Sequence, residues 1–172
     1  LPLDKVMRIK SNITPRSWSA LHQQRPQPEE GDYIKIEYIK RYSRRPQHMK
    51  IYGASDYAVT EDEGDFTSHG VFGVDPNDDV YVLDWWTKQS AADVWIDAWC
   101  DLVLRWKPSK WAEEKGQIIK SVGPFLEKRM QDRKAYTVRE QFASSTDKPT
   151  RGRSFQALMA SGKVYWPEAE WA

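Results

Sequence analysis

Residues 49–87, MKIYGASDYAVTEDEGDFTSHGVFGVDPNDDVYVLDWWT, contain the pattern that decides the fold. Three runs in this stretch, 49–60, 68–75 and 80–87, are rich in the β-branched and aromatic residues that are typical of strands. An acidic segment separates the first two runs, and the turn-forming residues PNDD precede the third. Because short turns connect antiparallel neighbours, the stretch predicts a three-strand antiparallel meander.

The chain after the meander alternates between helical and extended patterns. Ser90 and Asp93 form a capping-box pair, and apolar residues then recur at three- and four-residue steps until Pro108, which predicts a helix. The same signals predict a strand at 110–114 and then a helix from Gly116 with a kink or restart at Gly123–Pro124. They also predict a strand at 135–142 and a helix within 144–162, and a short extended piece at 163–167 follows this helix.

This order of elements favours an α/β fold with a mixed sheet. A right-handed crossover would place the 110–114 strand parallel to the first meander strand, on the side away from the rest of the meander. Helices would then flank a sheet of three antiparallel strands plus parallel strands. That is the arrangement of a ribonuclease H-like domain.

The composition is that of one globular domain with an arm. The 172 residues include 40% hydrophobic residues and nine tryptophans, which excludes disorder for most of the chain. Residues 1–47 are rich in Pro, Gln and Arg and are interpreted as an arm or linker that packs partly on a domain at 48–172. The net charge of +1 indicates no polyanion partner for the molecule as a whole.

Other features of the sequence bound its location. Cys100 is the only cysteine, so no internal disulfide can form, which fits a reducing compartment, and its place in the first helix indicates a core residue. No apolar run reaches the roughly 18 residues of a membrane span. No secretory signal pattern opens the chain.

Two carboxylates stand where the predicted topology gathers strand ends. Asp56 lies within the first strand, and Glu114 ends the neighbouring parallel strand. Carboxylates on adjacent strands can hold one hard cation, and Mg²⁺ and Mn²⁺ prefer such oxygen ligands. Two-metal sites of this kind cleave phosphodiesters. The sequence therefore predicts a buried site for Mg²⁺ or Mn²⁺ at Asp56 and Glu114.

Several acids leave alternatives open. Strand alternation puts Glu113 and Glu114 on opposite faces, and we favour Glu114 as the ligand with Glu113 as the fallback. Asp65 could approach the site from the second strand. The acids at 61–63 are interpreted as a solvated turn. His69 could act as an acid, a base or a ligand, although an isolated histidine in a strand is usually none of these.

Basic residues indicate an anionic substrate. Lys115 follows Glu114, and three more cations stand at the start of the last helix: Lys148, Arg151 and Arg153. A further group follows the second helix: Lys128, Arg129, Arg133 and Lys134. Such groups can neutralise phosphates, and helix N-termini favour anions. The alternative is that they are ordinary solvated helix ends.

Four segments together resemble the C-terminal nuclease domain of phage terminase large subunits. They are WSALHQQRPQPEEGDYIK at 18–35, GASDYAVTEDEGDFTSHGVF at 53–72, WAEEKGQIIKSVGPFL at 111–126 and DKPTRGRSFQALMASGKVYWP at 147–167. In that family the first joins the packaging ATPase to the nuclease. The second and third carry the metal-binding acids, and the fourth carries a late polar motif.

The resemblance implies roles for individual residues. Asp56 matches the first metal-binding carboxylate, and Glu114, with Glu113 as the fallback, matches the second. Asp65 sits where an accessory acid would be. The late polar motif, with a structural or phosphate-binding role, is matched by Asp147, Lys148 and Arg151. A further metal-binding Asp of the family lies beyond residue 172, so these residues supply at most two of three principal ligands and the 48–172 domain is truncated at its C-terminus.

The resemblance also implies a function. The domain would be a divalent-metal-dependent endodeoxyribonuclease that cuts concatemeric double-stranded DNA during viral genome packaging in the host cell cytoplasm. Its partners would be DNA, an ATPase domain in the same full-length chain, the portal protein and the terminase small subunit. Two alternatives remain: a DNA- or portal-docking module that does not cut, and a transposase- or integrase-type core on the same fold.

Overall fold

A computed structural model of the chain describes residues 34–58, 66–143 and 148–169. A 3-10 turn at Ile36–Tyr38 precedes the first strand. The strands are β1 (Lys40–Tyr42), β2 (Lys50–Asp56), β3 (Thr67–Val74), β4 (Val80–Lys88), β5 (Lys110–Glu114), β6 (Val138–Phe142) and β7 (Val164–Pro167). The α-helices are α1 (Ala92–Trp106), α2 (Gln117–Arg133) and α3 (Lys148–Ala160).

The seven strands form one mixed sheet in the order β1-β7-β4-β3-β2-β5-β6. The β2, β3 and β4 strands form the antiparallel meander that the sequence predicts. On the far side of β2, β5 pairs with it in parallel, and β6 pairs in parallel with β5. The topology confirms the predicted ribonuclease H-like α/β arrangement.

Two short strands extend the sheet beyond the meander. The β7 strand pairs in parallel with β4, and β1 pairs in parallel with β7. The Tyr42 hydroxyl of β1 donates a hydrogen bond to the Val82 carbonyl at 2.7 Å. Residues 40–42 of the predicted arm therefore form the edge strand of the sheet. The predicted domain boundary at residue 47 stays a prediction.

Side chains of the strands pack into two separate hydrophobic cores. Val71, Leu83 and Trp111 pack with buried residues of α1 and α2 on one face of the sheet. Val82 and Val164 pack with α3 residues on the other face. This division follows from the two-residue period of a strand, which sends successive side chains to opposite faces. On the first face the Trp111 ring fills the space that a side chain at Gly53 would need.

The ends of several elements differ from the sequence predictions. The first meander strand ends at Asp56 rather than at residue 60. The predicted Ser90 cap is wrong, because α1 begins one residue later with Ala91 at its N-cap, and no side chain there makes a capping hydrogen bond. The α2 helix continues through Pro124 without a restart.

No helix in the described ranges has both the length and the apolarity needed to cross a bilayer.

Candidate functional site

The ends of the parallel strands meet at one edge of the sheet. The β2, β5 and β6 strands run in parallel, and β4 runs in the same direction because β3 is antiparallel to both β2 and β4. The α1 helix starts after β4, and α2 starts after β5. Ligands in α/β folds bind at this carboxyl edge, where helix N-termini and strand ends converge.

Asp56 and Glu114 line a single cleft at this edge. The β2–β5 register pairs Ser55 with Glu113, so Asp56 and Glu114 occupy the next corresponding positions of the two strands. The cleft has a volume of about 470 Å³ and is lined by Asp56, Tyr57, Phe66, Glu114, Lys115, Gly116, Gln117, Ile118 and Ile119. Asp56 is exposed at the end of its strand. The expectation that Asp56 is buried is therefore wrong, because the strand ends at this residue, although β2 is an interior strand of the sheet.

The first turn of α2 lines the cleft. Gly116 is the N-cap, and no side chain there accepts a hydrogen bond from the first amides of the helix. Unpaired amide groups at a helix N-terminus carry a partial positive charge that favours anions. Lys115 is exposed beside them. The cleft thus combines two carboxylates with a positively charged rim.

Glu113 points away from this cleft into the core. Its side chain is 0% exposed, and the Tyr57 hydroxyl donates a hydrogen bond to its Oε1 at 2.7 Å. Arg139 of β6 donates from Nε to Oε1 at 3.0 Å and from Nη2 to Oε2 at 2.8 Å. Burial, and then the negative charge of Glu113, raises the pKa of Tyr57 well above its ordinary value.

The sequence analysis did not predict the burial of Glu113 or its partners Tyr57 and Arg139. The sequence did contain a signal for the burial of Glu113. Trp111 is apolar and must face the core, and Glu113 shares its face by strand alternation. The observed β5 pattern agrees, with Trp111 and Glu113 buried and Glu114 partly exposed. No comparable signal pointed to Arg139, because its contact depends on the β5–β6 register that pairs it with Trp111.

The structure describes the side chain of only one of the remaining predicted site residues, Arg153. Asp65 and Asp147 lie outside the described residues, as do the side chains of Lys148 and Arg151. Arg153 is exposed on α3 and is not among the residues that line the cleft.

The basic residues predicted to follow the second helix lie in its last turns, because α2 extends to Arg133 with Lys134 as its C-cap, and two of them make structural contacts. Arg129 donates from Nε and Nη2 to the two carboxylate oxygens of Asp97 at 2.7 and 2.9 Å. Arg133 donates to Asp101 at 2.6 Å. These pairs join α2 to α1, and the Arg129 hydrogen bond lowers the pKa of Asp97. Arg129 and Arg133 thus connect two helices, and a phosphate-neutralising role for them stays a prediction.

The donor set fits part of a divalent metal site. The cleft offers carboxylate oxygens from Asp56 and Glu114, which are the ligands that Mg²⁺ and Mn²⁺ prefer. Within residues 34–58, 66–143 and 148–169, no group of three or more His, Cys, Asp or Glu side chains could hold a metal ion. The described residues therefore offer two candidate ligands at this cleft, fewer than a complete site needs.

A larger cavity lies at the opposite end of the sheet. Its volume is about 650 Å³, and its walls come from the start of β2 and the β3–β4 turn, including His48, Lys50, Asp75 and Asp78. None of the predicted site residues lines it. We place the candidate site at the smaller cleft because the two predicted metal-binding acids, Asp56 and Glu114, line it.

His69 and Cys100 are both core residues. The His69 ring is 0% exposed and stacks on Trp86 at a centroid distance of 5.1 Å. Its Nε2 donates to the Trp95 carbonyl at 3.0 Å, and its Nδ1 accepts from the Ser55 hydroxyl at 2.8 Å. Because the carbonyl can only accept, the neutral His69 ring carries its proton on Nε2. Cys100 is also 0% exposed, and burial raises the pKa of its thiol to about 11.

We expect His69 to make the domain less stable in mild acid. Burial lowers the pKa of His69 from 6.5 to about 4 in the folded protein. Between these values the unfolded chain binds a proton that the folded protein excludes, so stability is full above pH 6.5 and is lost as the pH falls. The free energy of unfolding should be about 2 kcal/mol lower at pH 5 than at pH 7.

Urea unfolding at the two pH values measures this difference. Replacing the exposed His48 by Gln provides a matched control, and it should leave the difference unchanged. A free energy of unfolding that is equal at pH 5 and pH 7 would contradict the assignment of a neutral, buried imidazole.

Comparison with solved structures supports the fold. The chain is similar to the large terminase of a thermophilic bacteriophage in complex with ADP, with a TM-score of 0.54 and 13% identity over 80% of this chain and 33% of that one. It is also similar to the large terminase nuclease of thermophilic phage G20c with bound zinc, with a TM-score of 0.52 and 10% identity over 81% of this chain and 80% of that one. A structure of the G20c nuclease with bound magnesium gives a TM-score of 0.50 and 12% identity over 81% of this chain and 72% of that one.

These similarities extend to the fold and not to a sequence family. No protein-family model matches the chain. No curated protein matches it either. The chain spans only a third of the length of the ADP-bound large terminase, 33% of it.

Proposed function

We propose that this chain is the nuclease domain of a viral terminase large subunit and that it cuts concatemeric double-stranded DNA during genome packaging. The observation that carries the proposal is the placement of Asp56 and Glu114 on one cleft at the carboxyl edge of a ribonuclease H-like sheet. Similarity in fold to terminase nucleases with bound zinc and with bound magnesium supports a divalent-metal enzyme.

In the proposed reaction, Asp56 and Glu114 would hold Mg²⁺ or Mn²⁺, with Asp65 and a later Asp of the full-length protein as further ligands. When bound, such ions supply Lewis-acid activation of water and of the phosphoryl oxygens. Lys115 and the first amides of α2 would bind and orient the DNA backbone, because both carry positive charge at the rim of the cleft.

Cations at the start of α3 would extend the DNA contact. The α3 helix begins at Lys148, shortly after β6 ends at the same edge of the sheet. Lys148, Arg151 and Arg153 fall in its first two turns. We infer that they contact DNA outside the cleft, and that Asp147 belongs to the same polar motif with a structural or phosphate-binding role.

The wider assembly is also part of the proposal. A terminase large subunit joins this nuclease domain, through residues 1–47, to an ATPase domain of the same chain. It acts with the portal protein and the small subunit in the cytoplasm of the host cell. A transposase- or integrase-type core on the same fold would use the same two acids with other partners.

Plasmid nicking tests the proposed activity. The full-length protein should convert supercoiled plasmid to open-circular and linear forms in Mn²⁺ or Mg²⁺, and EDTA should abolish the conversion. Zero cleavage in either metal by a protein that binds duplex DNA would overturn the nuclease assignment.

A docking module that does not cut is the second candidate. Its support is that Lys115 and the first amides of α2 carry positive charge that attracts DNA phosphates without a metal ion. Fluorescence anisotropy with labelled duplex separates the two candidates. A docking module binds the duplex equally well with and without a divalent metal, and the nuclease binds it more tightly in Ca²⁺, which can occupy a carboxylate site.

A further inference from the structure

Three largely buried side chains form one hydrogen-bonded unit beside the cleft, and one of them, Tyr57, also lines it. Glu113 is fully buried, and Arg139 has a side chain that is only 13% exposed. Tyr57 donates to one carboxylate oxygen of Glu113, and Arg139 donates to both oxygens. The Tyr57 ring packs against Trp95 at a centroid distance of 4.8 Å, so its hydroxyl is held in place by the core.

The unit joins the strands that carry the two acids. Tyr57 directly follows Asp56 at the end of β2, and Glu113 directly precedes Glu114 at the end of β5. Arg139 lies on β6, on the other side of β5. The 2.7 Å hydrogen bond from Tyr57 to Glu113 therefore connects the ends of β2 and β5. The neighbours of these two residues, Asp56 and Glu114, line the cleft.

We propose that Glu113 is a positioning residue that, with Tyr57 and Arg139, sets the separation of the Asp56 and Glu114 carboxylates. This inference rests on the proposed function, because it concerns the same divalent-metal site. It assigns Glu113 a role behind the site, where its carboxylate touches side chains of the protein and not the ion.

The hydrogen bonds of Glu113 support positioning over direct ligation. Both of its oxygens already accept from donors within 2.7–3.1 Å. Moving the carboxylate to an ion in the cleft would break its three hydrogen bonds with Arg139 and leave that largely buried guanidinium with only the more distant, exposed Glu127 carboxylate at 3.6 Å, which is unfavourable. Outer-shell partners of this kind fix the orientation of ligand side chains and are often worth 10- to 100-fold in metal affinity.

The two roles predict opposite effects of removing the Tyr57 hydroxyl. If Glu113 positions the acids, Tyr57→Phe loosens the junction of β2 and β5 and should weaken Mn²⁺ binding about tenfold. If Glu113 is itself a ligand that its partners restrain, the same change frees one oxygen and should tighten binding. The phenyl ring keeps the packing against Trp95, so the variant retains its core contact.

Mn²⁺ binding to the full-length protein, followed by the loss of the free-ion EPR signal, tests the inference. Tyr42→Phe is the matched control, because it removes a hydroxyl whose hydrogen bond to the Val82 carbonyl is also 2.7 Å, on β1 at the far side of the sheet. We expect the dissociation constant for Mn²⁺ to rise in Tyr57→Phe and to stay unchanged in Tyr42→Phe.

The possible outcomes separate this inference from the proposed function. If the unchanged protein binds Mn²⁺ and Tyr57→Phe binds it equally or more tightly, the positioning role is wrong and the proposed function stands. An equal rise in the dissociation constant of both variants also overturns the positioning role, because it would reflect general loosening. If the unchanged protein binds no Mn²⁺, the proposed function and the positioning role both fail.

Discussion

Replacing Asp56 by Asn should lower the rate of plasmid nicking in Mn²⁺ by about 10³-fold. A divalent ion in a carboxylate site stabilises the charge of the transition state by several kcal/mol, and about 1.4 kcal/mol corresponds to a factor of ten in rate. Asn keeps the size of the side chain and removes the negative charge that attracts the ion. Because Asp56 is exposed at the end of β2, the substitution should leave the fold intact.

Asp93→Asn is the matched control for this experiment. Asp93 is an exposed aspartate in the first turn of α1, and α1 begins at the same edge of the sheet. It is not among the residues that line the cleft, so its substitution should change the nicking rate by less than about twofold. Equal nicking by Asp56→Asn and the unchanged protein would show that Asp56 takes no part in cleavage.

Replacing Arg139 by Ala should lower the free energy of unfolding by about 3–5 kcal/mol. Removing one partner of a buried ion pair leaves the other charge without compensation, and that penalty is larger than the loss of the pair itself. Glu113 is the charge that remains, with 0% of its side chain exposed. Since a domain of this size is stabilised by only about 5–15 kcal/mol, the variant should unfold at a much lower urea concentration.

The chain provides a control with the same chemistry and a different burial. Arg129 also binds a carboxylate through two nitrogens, but its side chain is 46% exposed and that of its partner Asp97 is 40% exposed. Arg129→Ala should therefore shift the urea midpoint much less than Arg139→Ala does, because solvent screens an exposed pair. If Arg129→Ala and Arg139→Ala shift the urea midpoint equally, burial does not govern the Glu113–Arg139 pair.

A double substitution separates charge from packing in the same unit. Glu113→Leu with Arg139→Met replaces both charges by apolar side chains of similar length, and such exchanges of buried pairs are often neutral or stabilising. The double variant should therefore unfold at a higher urea concentration than Arg139→Ala.

The centre of the sheet was predictable because local signals agreed with one another. Three alternating strand patterns with short turns between them required the antiparallel meander, and the helix after it required a parallel return at Lys110–Glu114. The two short strands beyond the meander were predictable only in part: an extended piece at 163–167 was expected, but its position between β4 and β1 was not, and residues 40–42 were assigned to the arm. Lys40–Tyr42 and Val164–Pro167 are three and four residues long, and only pairing with β7 and with β4 makes them strands.

The candidate site was predictable only in part. The chemistry of carboxylates and the parallel placement of two strands sufficed to select Asp56 and Glu114, which line one cleft. The same reasoning made Glu113 a fallback ligand because it treated each acid alone. Its partner Arg139 is brought to it by the pairing of β5 with β6, which no local pattern in the sequence specifies.

Diffraction from crystals of the full-length protein soaked in Mn²⁺ would show whether Asp56 and Glu114 bind a metal ion. The anomalous signal of the ion locates it without reference to the protein. We predict an ion in the cleft with direct bonds to carboxylate oxygens of Asp56 and Glu114, and with Glu113 still bound to Arg139. An ion bound by Glu113 with Arg139 displaced, or a cleft without an ion at saturating Mn²⁺, would contradict the account.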